Sequence, residues 1–186
     1  AKGHNFPLLT LVGVIDADLG LQGSDLRAAE RTFQLMRQVS GRAGRSDKPG
    51  EALLQTYQPE HPVIRSILSG DETGFLQTEA TQRRDAGVPP YGRLAGIILS
   101  GPDLSQLFDL GNALARQDQP LRQIDAQVFG PAPAPIARVR GRHRVRLLVK
   151  AGKTTPLQPA LTTWIGQFKL KAQMRLAVDI DPQSFY

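Results

Sequence analysis

The segment Gln38-Val39-Ser40-Gly41-Arg42-Ala43-Gly44-Arg45 sets two arginines three residues apart among small residues. Small residues let a backbone approach a neighbour closely, and guanidinium forks match phosphate oxygens two at a time. Such a pair can bind phosphate or stabilise charge on a transferring phosphoryl group. Alone it also fits a solvated basic helix end. Position favours the phosphate use. Lys2-Gly3-His4-Asn5-Phe6-Pro7 opens one apolar run and the arginine segment ends the following helical stretch, so both can face one cleft at the carboxyl ends of a sheet.

A second basic constellation is Arg138, Arg140, Arg142, Arg144 and Arg146, all at spacing two, with Lys150 beyond. One continuous strand would put all five on a single face. Gly141 argues instead for a hairpin turn near Arg140–His143 that splits the set between two antiparallel strands. Either geometry concentrates positive charge. Two readings stand: contact with nucleic-acid phosphates, or a solvated face with carboxylate partners. No aromatic residue interleaves the arginines, so phosphate contact is favoured over base stacking. A weaker third site joins Lys153 to a helix start near Thr154–Gln158, where a cation and a helix N-terminus suit a carboxylate; simple capping explains it as well. His4 by itself reads as a structural loop residue.

The composition constrains the partners. The chain has 186 residues, enough for one ordinary domain or two small ones. Its 23 Lys+Arg against 17 Asp+Glu give a formal charge of +6, and the pI is near 10.1. That balance favours an anionic partner such as nucleic acid. With 40% hydrophobic residues, wholesale disorder is excluded. The absence of cysteine excludes disulfides, Cys-ligated zinc or iron–sulfur centres and thiol catalysis. The longest apolar run, Leu8–Ile15, is far too short to span a membrane, and the N-terminus lacks the order of a signal peptide. A cytoplasmic chain is expected. Because the sequence opens at once in a tight loop and strand, it reads as cut from a longer protein.

These residues need elements to hold them. Leu8–Asp16 has the look of a buried strand, Asp16–Gly23 of a loop, and Ser24 or Asp25 can cap a helix whose inward face carries Leu26, Ala29, Phe33 and Met36. The helix should stop at Gly41 or Gly44, and Glu51–Tyr57 predicts a second short buried strand, giving a parallel α/β unit. Two strands make only half such a domain. Pro59–Asp85 predicts two helices broken near Ser69-Gly70, the first with Val63, Ile64, Ile67 and Leu68 as its apolar stripe. Gly87-Val88-Pro89-Pro90-Tyr91-Gly92 cannot be helical and marks a boundary. Then follow a strand at Arg93–Ser100, a helix at Asp103–Gln117 with Leu104, Leu107, Phe108 and Leu114 inward, and strands starting at Gln127–Gly130 and at Val145–Val149. A helix at Pro156–Phe168 and a strand at Arg175–Ile180 close the chain, with Trp164, Phe168 and Phe108 as core residues. The order βαββαβ is the ferredoxin-like arrangement.

The two motifs Lys-Gly-His-Asn-Phe-Pro and Gln-Val-Ser-Gly-Arg-Ala-Gly-Arg resemble the fifth and sixth motifs of superfamily 2 helicases. Further stretches narrow the resemblance to the PriA (primosomal protein N′) family of bacterial replication-restart helicases. They are Arg27–Leu35, Pro49-Gly50-Glu51, Gln55–Pro59, Val88–Ala95, Gly130–Pro135 and Val178–Ser184, so the resemblance covers essentially the whole chain.

The resemblance implies an α/β fragment, residues 1–58 as the final part of a second RecA-like lobe, then a helical connector at 59–90. Residues 91–186 would form an α+β domain like ribosomal protein S10. It implies that Gln38, Arg42 and Arg45 face ATP, with one or both arginines as fingers on the γ-phosphate, and that Gly3, Asn5, Gly41 and Gly44 lie near the nucleotide. Asn5 departs from the family's usual Asp, which puts an ionic role there in doubt. Lys2 and His4 would approach DNA, and the five arginines its backbone. Lys153 and Gln158 would meet the acidic tail of the single-stranded-DNA-binding protein. ATP, Mg²⁺ and zinc belong to the longer parent: no Gly-x-x-x-x-Gly-Lys-Ser/Thr occurs, so the fragment should be inactive alone and hold no cofactor. Forked DNA and single-/double-strand junctions, other primosome proteins and a nucleoid location are implied, as is self-association through unpaired strand edges. The rival reading is a stand-alone RNA- or ribosome-binding module on the S10-like domain.

Overall fold

The architecture was obtained as a computed structural model that describes residues 9–21, 25–41 and 50–183. The chain divides into two compact units between Glu79 and Ala80.

In the first unit, β1 (Leu11–Val14) and β2 (Glu51–Leu54) pair in parallel, with Val12 beside Ala52 and Val14 beside Leu54. Helix α1 (Ala28–Ser40) joins them, as a parallel pair requires a crossover. Asp25 prepares its start by accepting the Arg27 N–H through Oδ1. Gly41 ends it, its N–H donating to the Arg37 carbonyl at 3.0 Å. Helices α2 (Pro62–Ser69) and α3 (Glu72–Asp85) are separated at Gly70, whose φ of 71° permits the reversal. Phe33 of α1 stacks on Phe75 of α3, ring centroids 4.3 Å apart, and both pack on Val63 of α2. Met36, Ile64 and Ala17 form a second small cluster.

Four expectations need correction here, one of them the burial of the second strand, where Leu53 faces outward. The first strand is shorter than expected and alternates in burial instead of being enclosed: Leu11 is exposed, and Ile15, just past its end, is 83% exposed. With β2 as its only partner among the described residues, one face of the ribbon is left open. Leu26 and Leu68 likewise face outward, the latter 65% exposed, because Val63 and Ile64 already fill the contact with α1.

The second unit holds a four-stranded antiparallel sheet in the order β4-β5-β3-β6, where β3 is Gly92–Gly101, β4 Gln127–Val139, β5 Arg142–Gly152 and β6 Arg175–Ile180. Helix α4 (Leu104–Arg116) follows β3, the short α5 (Gln119–Arg122) comes next, and α6 (Leu157–Gly166) connects β5 to β6. Asp103 caps α4, accepting the Gln106 N–H at 3.1 Å. Alternation along the strands divides the sheet's faces. Ala95, Ile97 and Leu99 of β3 and Val145, Leu147 and Val149 of β5 pack with Leu107, Leu114, Leu157, Leu161 and Trp164 of the helices. Trp164 is fully buried and its Nε1–H donates to the Leu114 carbonyl at 3.1 Å. Leu104, expected inward, is exposed at the first turn of α4. Strand β4 runs well past the expected Gln127–Gly130 start, through three prolines.

Candidate nucleic-acid interface

The opposite face of this sheet carries the basic residues. At one end it is covered: Val88 packs on Leu94 and Leu148, and the Lys150 Nζ donates to the Ala86 carbonyl at 3.4 Å. This closure needs a residue without a side chain at position 92, because a Cβ there would collide with the Gly87 carbonyl oxygen. Asp181 fastens the same end, its carboxylate accepting the Leu94 N–H at 2.9 Å and the Arg93 Nε–H at 2.6 Å.

The other end is open. Strands β4 and β5 meet in a two-residue turn at Arg140 and Gly141, with φ of 49° and 78°, and Val139 stands beside Arg142. Two consecutive positive φ angles match the right-handed twist of a hairpin. The turn splits the arginine set, and the register says how. Arg142, Arg144 and Arg146 lie on the open face, whereas Arg138 stands opposite His143 and so points to the other face. Arg146 is half-buried between Ala132 and Ile98 on the neighbouring strands. Arg140, in the turn, joins Arg142 and Arg144 around a hollow of about 400 Å³.

The fourth cation of this hollow is Arg175, at the start of β6, which sequence reading placed on a strand but not in a site. Ser100 is the register partner of Arg144 on one side and of Arg175 on the other, so one row across the sheet reads Arg144, Ser100, Arg175. The next row places Ile98 beside Ala177, and these with Val139 form an apolar floor. Arg142 is anchored: its Nη2 donates to the Gln173 carbonyl at 2.6 Å and the Ser100 carbonyl at 3.1 Å. Among the described residues, Arg140, Arg144 and Arg175 make no ion pair with a carboxylate.

Lys153 and Gln158 are both exposed and flank the turn between β5 and α6; the α6 N-terminus has no side-chain cap. In the first unit, Gln38 is exposed on the last turn of α1 and Gly41 follows it. Lys2, Gly3, His4, Asn5, Arg42, Gly44 and Arg45 lie outside the described residues. The parallel strands of this unit do bring one unforeseen group together at their carboxyl ends. Asp18, only 2% exposed, accepts the Thr56 hydroxyl at 2.6 Å and the Tyr57 N–H at 2.7 Å. Those bonds, the hydroxyl first, hold its pKa below the ordinary carboxylate value. Among the described residues, no group of three or more His, Asp or Glu gathers as a metal site, and no helix is long and apolar enough to cross a membrane.

Comparison with known proteins agrees along the chain. Residues 84–183 match the family model of the primosomal protein N C-terminal domain. The replication restart protein PriA of Rickettsia felis is 42% identical over 100% of this chain and 28% of its own length. That of Bacillus subtilis is 36% identical over 98% of the chain and 23% of its own, and that of Haemophilus influenzae 36% over 98% and 25%. The chain thus spans about a quarter of the length of these relatives.

Proposed function

The chain belongs to the PriA family, matching the C-terminal region of replication restart proteins, and from that premise we propose that it serves an ATP-dependent 3′→5′ DNA helicase acting in primosome assembly. The observation that carries this reading is similarity over essentially the full chain, through both units, to relatives that are replication restart proteins. A stand-alone RNA-binding module would account for the second unit only.

In this reading, residues 1–58 complete a RecA-like lobe, 59–90 connect, and 91–186 form a ferredoxin-like, S10-like domain; the strand order and the helix-covered face of the second sheet support that last assignment. Gln38, Arg42 and Arg45 face ATP bound with Mg²⁺ elsewhere in the longer protein, Gly3, Asn5, Gly41 and Gly44 shape the nucleotide side, and Lys2 and His4 approach DNA. The second unit binds forks and single-/double-strand junctions through its arginine face, and Lys153 with Gln158 receives the acidic tail of the single-stranded-DNA-binding protein. The cell compartment is the bacterial cytoplasm, at the nucleoid.

Arginine fingers act on the transferring phosphoryl group and not on DNA affinity. In the longer protein, Arg42→Ala or Arg45→Ala should therefore lower ATP turnover by roughly 10³-fold or more while fork affinity stays within about twofold. Steady-state ATPase rates beside fluorescence anisotropy on a labelled fork check this. Equal loss of both would remove the finger role, and tighter binding of an RNA hairpin than of the fork by the 186-residue chain would favour the RNA module.

A further inference from the structure

We propose that Arg140, Arg142, Arg144 and Arg175 form a pocket for one phosphate of single-stranded nucleic acid, with the adjoining sugar resting on Ile98, Val139 and Ala177. This deepens the nucleic-acid reading of the second unit and rests on it.

The first argument is charge. Arg144 and Arg175 flank Ser100 from strands on either side, so their backbones stand about 10 Å apart, two strand spacings. Arg142 comes from the same strand as Arg144, and Arg140 from the turn above. Four cations around one hollow, none of them with a carboxylate partner among the described residues, repel one another unless an anion lies between them. A tetrahedral phosphate satisfies several forks at once, which a single carboxylate does less completely. The Ser100 hydroxyl, at the centre of the row, adds a neutral donor.

Shape is the second argument. At about 400 Å³ the hollow sits near the lower end of the roughly 300–1,000 Å³ typical of small-ligand sites. It suits one sugar–phosphate unit, not the broad backbone ridge of a duplex. The floor is apolar, which fits the carbon face of a deoxyribose, and among the described residues no aromatic ring lines the hollow for a base to stack on. Recognition is therefore independent of base identity. Pre-organisation is the third. Both carbonyls that hold Arg142 belong to the protein backbone, so its guanidinium is set before ligand arrives and loses little freedom on binding.

Arg138 supplies an internal control, because it sits on the opposite sheet face only a few residues from Arg140. In the intact 186-residue chain, anisotropy titrations with fluorescein-labelled octathymidylate should show Arg175→Gln weakening binding about tenfold and flattening the log-affinity against log-salt slope by about 0.7. Arg175→Lys, which keeps charge but loses the fork, should fall between Arg175→Gln and wild type. Arg138→Gln should stay within about twofold of wild type. Circular dichroism melts would verify that each variant is folded. In heteronuclear NMR spectra, thymidine 3′,5′-bisphosphate should shift Ile98, Val139 and Ala177 most.

If wild type binds octathymidylate but Arg175→Gln matches it, or Arg138→Gln loses as much, the pocket is overturned and nucleic-acid binding stands. Shifts centred on other residues overturn it in the same way. If an acidic peptide with an apolar carboxyl terminus shifts these three residues at lower concentration than the bisphosphate, the occupant is peptide and the proposal falls. No binding of octathymidylate by wild type would overturn the pocket, and only a failure to bind a labelled fork as well would remove the DNA reading of this unit.

Discussion

The two units of this chain, Ala1–Glu79 and Ala80–Tyr186, bury their residues differently. The second closes one core between a sheet face and its helices, with Trp164, Leu107, Leu114, Leu147 and Leu157 fully enclosed. Among its described residues the first has two small clusters around Phe33 and Met36, while Leu53 is 60% and Tyr57 90% exposed on or just after its second strand. A parallel sheet is normally covered on both faces. The first unit has the apolar surface such covering would bury, and only part of it is buried within the chain. The lesson is one of autonomy. Stability in the second unit comes from its own packing, whereas the first has less burial to set against the entropy of ordering its chain.

The largest test of that contrast is Trp164→Ala. Removing a fully buried indole should cost the second unit about 3–5 kcal/mol. Hydrogen exchange at β3 and β5 amides would show it as lost protection, and unchanged protection would break the comparison. In the wild type, the difference should appear without mutation. Trp164 is the only tryptophan, so its fluorescence reports the second unit alone while far-ultraviolet circular dichroism reports both. Urea titration should give a dichroism transition at lower denaturant that fluorescence does not follow; coincident curves would mean one cooperative unit.

The smallest effect is electrostatic and has one carboxylate in each unit. Asp18 is held low by Thr56 and Tyr57, and Asp103 by the Gln106 N–H and side chain. A depressed folded-state pKa contributes stability that is complete above the ordinary carboxylate range and lost as pH falls through the folded value. Acidification should therefore weaken both units, and neither carboxylate should contribute a slope near neutrality. Asp18→Asn should flatten the acid limb of the dichroism transition and Asp103→Asn that of fluorescence. Crossed effects would show that the units are coupled.

Most elements were legible in the sequence because local signals agreed with tertiary packing. The spacing of Leu107 and Leu114 and the alternation of Val145 to Val149 both name their elements correctly. The break at Gly70 was equally plain. Burial of the first strand was not legible, because an apolar run records what a strand can bury and not whether a cover is present. The arginine site was half legible. Its spacing of two identified a sheet face, and Gly141 identified the turn, but only the register puts Arg138 on the opposite face from Arg142 and Arg144. Arg175 is invisible locally. It enters the hollow because β6 lies beside β3, a fact of strand order that no short window contains.

The length of β4 was obscured by Gly130-Pro131-Ala132-Pro133-Ala134-Pro135, whose three prolines are poor strand formers. An outermost strand can accept prolines that an inner strand cannot, since their missing donors need not serve a second neighbour. That placement also decides how copies of the chain can meet. A margin short of N–H groups is a poor template for an incoming strand, so growth by edge pairing is blocked on that side of the second sheet. Any strand exchange between copies must be sought at β6 or in the parallel ribbon of the first unit, and an aggregation-resistant variant would begin with a proline or lysine there.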